Sequence, residues 1–271
     1  MLNIRLLNFC LIIIFASVSG FALANLDNIK STGVISFAIY KDFPPFSDQG
    51  EGIDIDIARA ISKKLNLKLS IIPFPAGENI DDDLRNMVWK GHYLGIGPAD
   101  VMLHVPIDRI VFQKNKQVKI FAPYFRETVK LVRNVKTFPD YNGISSLENK
   151  LLGAEKVSIS AMVLLGNEKL RNNVEIFDSS TQALKKLKLG KLDAVVATRS
   201  SIESEMSNIK GFEISDAPFE RLPKRGWVVG LAVKKENVDL AKLLQETINK
   251  LFDSGEMSKI FAKYNIRSVK P

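Results

Sequence analysis

Residues 34–65 read VISFAIYKDFPPFSDQGEGIDIDIARAISKKL, and this stretch sets the fold class. Val34 to Tyr40 alternates as a strand with one face in a core. The turn Phe43-Pro44-Pro45-Phe46 ends it, because proline fixes φ and offers no N–H for a further ladder bond. After Gly50 and Gly52, Ile57, Ala60, Ile61 and Leu65 recur at helical spacing, while Asp54 and Asp56 sit where a helix N-terminus favours negative charge. Leu67 to Phe74 then reads as a second strand, so the stretch opens a strand, helix, strand unit of an α/β protein.

The same alternation continues outward. A helix through Leu84 to Trp89 leads to a strand at Ala99 to Leu103, and further strands are expected at Val129 to Arg133, Lys156 to Ser160, Val174 to Phe177 and Asp193 to Ala197. Between the last two, Ala183, Leu184 and Leu187 give a helix from Thr181 to Leu189 one apolar face. Trp227 to Val233 returns to strand, followed by an amphipathic helix from Val238 to Phe252, Gly255 and a short helix ending near Tyr264. Leu84 through Gly97 to Asp100 is echoed by Leu184 through Gly190 to Asp193, which suggests two lobes of related build. No low-complexity linker separates them, so ordered strands are expected to act as hinges.

Toward the start, Arg5 precedes an apolar run from Cys10 to Ala16 and the small-residue pattern Ala22-Leu23-Ala24. Residues 1–24 therefore read as a secretory signal peptide cleaved after Ala24, the run being shorter than the roughly 20 residues a spanning helix needs. Phe9 stands before Cys10 where a lipidation signal wants a small residue. Cys10 is the only cysteine, so the chain beyond it can form no internal disulfide and no thiolate metal site. The formal net charge of the whole chain is +8, and Arg5 is the only charged residue of the first 24. Without a basic block or an aromatic-rich basic stripe, nucleic acid is not an expected partner. No heptad seam is evident, and the expected state is a monomer.

Several segments, in order, resemble those of the family 3 periplasmic solute-binding proteins. Phe43-Pro44-Pro45-Phe46 matches that family's "PPF" segment, and Gly52 to Ala58 is similar to its "GFDVDLA" helix start. Asp100 with Asp108-Arg109, and Phe121-Ala122-Pro123-Tyr124-Phe125, look like its "D…T-x-x-R" and "FSxPYY" regions. Gly190 to Val196 resembles "GxxDAVV", and Gly255 to Tyr264 the closing "G…I…KY". The resemblance implies a type II periplasmic binding protein fold: two α/β lobes, each a central sheet flanked by helices, joined by a two-strand hinge. It implies lobe 1 from residues 25–124 and 227–271, lobe 2 from residues 125–226, and a ligand in the cleft between them. Such a protein works in the periplasm, without a cofactor and without catalysis, and hands its solute to an ABC permease.

The resemblance also nominates site residues. Arg109, by position, would grip a ligand carboxylate through a bidentate pair. Tyr40, Phe43 and Phe46 lie where the family places an aromatic wall, although Phe46 reads equally well as core packing. His104 and Pro106 replace hydroxyl residues upstream of the arginine, Thr198 replaces the aspartate that neutralises a ligand ammonium, and the Ser158 to Met162 segment, with Ser160, lacks the familiar glycine and threonines. An unpaired buried ammonium is costly, so these departures argue against a standard amino acid and leave a small, carboxylated solute as the expected ligand. Glu78 adds a polar candidate. His92 and His104, with Glu78 or Asp100, match no metal-ligand spacing.

The segment from Phe74 to Val105 is similar to binding-protein-like accessory proteins of periplasmic quinoprotein alcohol and methanol dehydrogenases. That implies a second partner class, a quinoprotein dehydrogenase in place of a permease. A third reading is a periplasmic dehydratase on the same fold. Glu78, His92 and His104 are its available acids and bases, but no nucleophile, base and orienting group stand together in the sequence.

Overall fold

β1 (Val34–Tyr40) and β2 (Lys68–Phe74) pair in parallel from Val34 against Lys68 to Tyr40 against Phe74, joined by α2 (Ile53–Lys64), as the opening stretch requires. The computed structural model describes residues 25–271, beginning with α1 (Asn25–Thr32). The signal-peptide reading therefore lies outside the described residues. β3 (Val101–Pro106) pairs in parallel with the other edge of β1. β10 (Trp227–Lys234) returns from the far end of the chain and lies antiparallel between β3 and β4 (Val118–Glu127), giving the order β2-β1-β3-β10-β4.

Helices cover both faces of this sheet, and β3 is accordingly buried from Val101 to Val105 without alternation. On one face α2, α8 (Val238–Asp253) and α9 (Glu256–Lys263) bring Ile57, Ile61, Leu244, Ile248 and Phe261 against Phe37 and Leu231. On the other, α3 (Ile80–Leu84) and the π turn Arg85–Trp89 press Leu84, Met87 and Val88 onto Met102 and Ala232. α4 (Arg109–Lys114) links β3 to β4.

The second sheet takes its strands from the middle of the chain, in the order β7-β6-β8-β5-β9. These are β5 (Val129–Asn134), β6 (Leu152–Glu155), β7 (Val174–Phe177), β8 (Ala194–Thr198) and β9 (Phe212–Asp216). α5 (Ile159–Leu165), α6 (Ser180–Lys188) and α7 (Arg199–Met206) follow β6, β7 and β8. Two chain crossings join the sheets, one at Thr128 between β4 and β5, the other through residues 217–226 between β9 and β10. Trp227 packs against the apolar cores of both lobes.

The strand expected at Lys156 to Ser160 is absent. The strand is β6, which ends at Glu155; Val157 turns at φ +53° and is fully exposed, and Ser158 caps α5. A capping serine after a strand was the overlooked signal, since its side chain competes with the ladder for backbone N–H groups.

Candidate ligand-binding cleft

A cavity of about 650 Å³ opens between the lobes, a size that suits a small solute. The first lobe contributes Asp42, Phe43 and Pro44 from the turn after β1, Trp227 from the hinge end of β10, Lys263 from the last turn of α9 and Tyr264 just after it. The turn is held by Phe43, whose N–H donates to the Ser47 carbonyl at 2.6 Å. Phe43 is 39% exposed and stacks on buried Phe46 with ring centroids 5.5 Å apart.

The second wall is built from the carboxyl ends of the parallel strands β7, β6 and β8, where open α/β sheets place ligands. Each strand hands over to a helix capped by a hydroxyl. Ser158 accepts from the Ala161 N–H at 3.1 Å, Ser179 from Gln182 at 3.3 Å, and Thr198 from Ser201 at 3.4 Å. Glu155 accepts from the Ser180 N–H at 3.1 Å and its hydroxyl at 2.7 Å, holding a carboxylate at the start of α6. Ser160, on the first turn of α5, is only 2% exposed, lines the cleft and makes no hydrogen bond among the described residues.

Carboxylates outnumber ammonium groups in the lining: Asp42, Glu155, Asp178 and Glu205 face Lys156 and Lys263. Lys156 is paired to Asp178 at 2.7 Å, a hydrogen bond that raises the lysine pKa and lowers that of the aspartate. Lys263 turns to Asp56 at 2.9 Å and Glu205 to Lys188 at 2.8 Å, both partners outside the lining. The surplus negative charge favours a ligand that carries a cation.

Of the nominated residues, Phe43, Ser160 and Thr198 line this cavity. Phe46 is core, at 1% exposure. His104 lies behind Phe43, edge-on at 4.9 Å, with φ +59° at the end of β3. Its Nδ1–H donates to Asp54 Oδ2 at 3.2 Å, while the Tyr124 hydroxyl donates to Asp54 Oδ1 at 2.6 Å and accepts the His104 N–H at 3.0 Å. This network satisfies a buried carboxylate, and burial with the Asp54 charge pushes the Tyr124 phenol well above its ordinary pKa. Tyr40 is likewise engaged, its hydroxyl donating to Asp83 at 2.8 Å; burial raises both groups. Arg109 opens α4 behind the capping Asp108, is exposed, and is not part of the lining; Glu78 is exposed in the loop before α3. Among the described residues no cluster of three metal-ligating side chains occurs.

The hinge was expected from the sequence, but the side chains that hold it were not. Glu127, 3% exposed at the end of β4, accepts from the Thr128 N–H at 2.9 Å and from the Ser200 N–H at 3.2 Å and hydroxyl, bonding the first sheet to α7. Burial pushes its carboxyl pKa up despite those bonds. Arg199 spans the lobes, donating to the carbonyls of Arg126 at 3.0 Å and Arg267 at 3.1 Å while lying 4.8 Å over the Phe125 ring.

No family model matches the chain. Among curated proteins it is 25% identical over 238 residues to a probable histidine-binding protein of Neisseria gonorrhoeae, covering 85% of this chain and 81% of that one. It is 22% identical over 269 residues to the L-cystine-binding protein of Escherichia coli, covering 92% and 89%. Among solved structures, an ancestral cationic amino acid solute-binding protein superposes with a TM-score of 0.70 at 19% identity, over 89% of this chain and 99% of the other. An amino acid ABC transporter substrate-binding protein from Streptococcus pneumoniae, bound to L-arginine, gives 0.63 at 21% identity, over 91% and 100%.

The chain has the type II periplasmic binding protein fold. Its relatives carry the names of amino-acid-binding and transport proteins, not of enzymes. They give no support to the quinoprotein-associated subgroup. Among the described residues no helix is long and apolar enough to cross a membrane.

Proposed function

We propose that this protein captures an amino acid, or a close relative bearing both an ammonium and a carboxylate, between its lobes in the periplasm and delivers it to an ABC permease. The observation that carries the reading is the composition of the cleft: an excess of carboxylates over ammonium groups beside a buried hydroxyl and capped helix starts, with Phe43 and Trp227 as apolar walls. Thr198 does replace the expected aspartate. Glu155, however, lines the same cavity and has no ammonium partner among the described residues, and Asp42 has only a long, exposed pair with Lys41 at 4.0 Å. An ammonium group can therefore be neutralised by carboxylates outside the family pattern, which weakens the sequence argument against amino acids. The names of the relatives, for histidine, glutamine, cystine and arginine, agree with this class.

The test is thermal unfolding of the purified protein against a panel of L-amino acids and simple amines. A ligand at a hundred times its Kd adds about 2.7 kcal/mol, which for a chain of this size raises Tm by roughly 5–10 °C. A flat Tm across amino acids and amines contradicts the reading. The dehydrogenase-accessory alternative draws on Arg109 lying outside the cleft lining and on Thr198. Recovery of a quinoprotein dehydrogenase, and no permease subunit, in a periplasmic pull-down would favour it.

A further inference from the structure

The end of the first sheet opposite the cleft has a character of its own. β3 enters the sheet there at Val101, beside Ala232 near the exit of β10, whose Lys234 pairs with Val118 at the entry of β4. The Lys235 N–H donates to the Gln117 carbonyl at 2.9 Å, closing that end. The loop leading into β3 folds into a small hairpin, His92 N–H to Ile96 carbonyl at 2.8 Å, with Tyr93 88%, Leu94 67% and Ile96 41% exposed at its tip. At the same end of the sheet Lys116, Lys119, Lys234 and Lys235, with Lys90 just before the hairpin, are exposed and form no ion pair among the described residues. Glu236 and Asp239 offset this charge only in part, and the Asp100 carboxylate is taken up by Ser36 at 2.6 Å.

We infer that this pole is a peripheral membrane-docking surface that recognises an anionic lipid bilayer. Tyr93 and Leu94 enter the headgroup layer, where an amphipathic ring and an aliphatic side chain are favoured over water. Lysines are compact charges on flexible stems, suited to a diffuse field of headgroups and not to one fixed bidentate partner. The cleft lies at the other end of the same strands, past Tyr40 and Pro106, so a docked molecule keeps it open to solute. The surface thus concentrates the protein at the membrane independently of what it carries.

The test is co-sedimentation of the protein with vesicles of phosphatidylglycerol and phosphatidylcholine in equal parts, against vesicles of phosphatidylcholine alone. Binding to the anionic vesicles is expected, falling steeply with salt as screening shortens the reach of the lysines. Tyr93→Ser with Leu94→Ser, and separately Lys234→Glu with Lys235→Glu, should each weaken it by about tenfold or more without lowering Tm, since all four side chains are exposed. Equal partition into both vesicle types, or variants that bind like the parent, would overturn the inference. So would binding that appears only when a membrane protein is reconstituted in the vesicles, which would make the partner a protein.

Discussion

Gly226→Ala probes the hinge most sharply. Gly226 sits at φ +63° just before Trp227, and a Cβ there would lie 1.7 Å from the Glu127 carbonyl oxygen and 2.7 Å from Thr128 Cγ2. The left-handed conformation alone costs an alanine about 1–2 kcal/mol. The overlap cannot be relieved by a side-chain rotation, because the near atom is backbone on the opposing crossing; forced repacking of this kind adds about 1–3 kcal/mol. The expected loss is about 2–5 kcal/mol, or roughly 10 °C in Tm for a chain of this size. Gly50→Ala is the matched control: φ is +85°, but no atom lies within 4 Å of its Cβ position. It should lose only the conformational part, about 1–2 kcal/mol. Urea unfolding followed by tryptophan fluorescence, with Trp227 adjacent to the altered site, measures both. If Gly226→Ala proves no more costly than Gly50→Ala, the two crossings are not in the tight contact on which the hinge depends.

Asp54→Asn leaves His104 Nδ1 or the Tyr124 hydroxyl without its acceptor in a buried site, and should cost about 2–3 kcal/mol by urea unfolding. Glu127 has its folded pKa raised by burial, so the folded state binds the proton more tightly than the unfolded chain. Its contribution to stability is greatest below the unfolded carboxyl value of about 4.3 and declines as pH rises toward the folded value. Glu127→Gln should therefore flatten the fall in urea midpoint across that window, and an unchanged slope would argue against a raised pKa. Arg199→Ala removes two interlobe hydrogen bonds and a cation–π contact; a loss of about 2 kcal/mol and faster proteolysis of residues 217–226 are expected.

The repeated strand and helix periods made the α/β class and most strands of both sheets legible, because a face buried on one side stamps its spacing on the sequence, but β4 and β9 were not read as strands and β6 was misplaced. The return of the chain's end to the first lobe came through resemblance, but the antiparallel insertion of β10 between β3 and β4 was not read, since pairing partners far apart in sequence leave no local mark. Within the site, Phe43, Ser160 and Thr198 were placed by position in a motif, but motif position could not show that His104 turns inward to Asp54 or that Arg109 lies outside the lining. Glu155 and Asp178 were missed for a related reason. A carboxylate at a strand end resembles any solvated charge until the serine cap beside it is recognised, and the serines at 158 and 179 were the signal available. Glu127 and Ser200 join elements 73 residues apart, a pairing that hydropathy does not record.

Closure of the cleft is the measurement that decides most. The chain from Asn25 onward has no cysteine, so Asp48→Cys and Lys185→Cys, exposed positions on opposite lobes, can carry a pair of spin labels without background. With the amino acid that gives the largest rise in Tm, the distance distribution should move to a single shorter population. The same distribution with and without that ligand would mean that binding does not bring the lobes together, and would contradict the two-lobe capture described above.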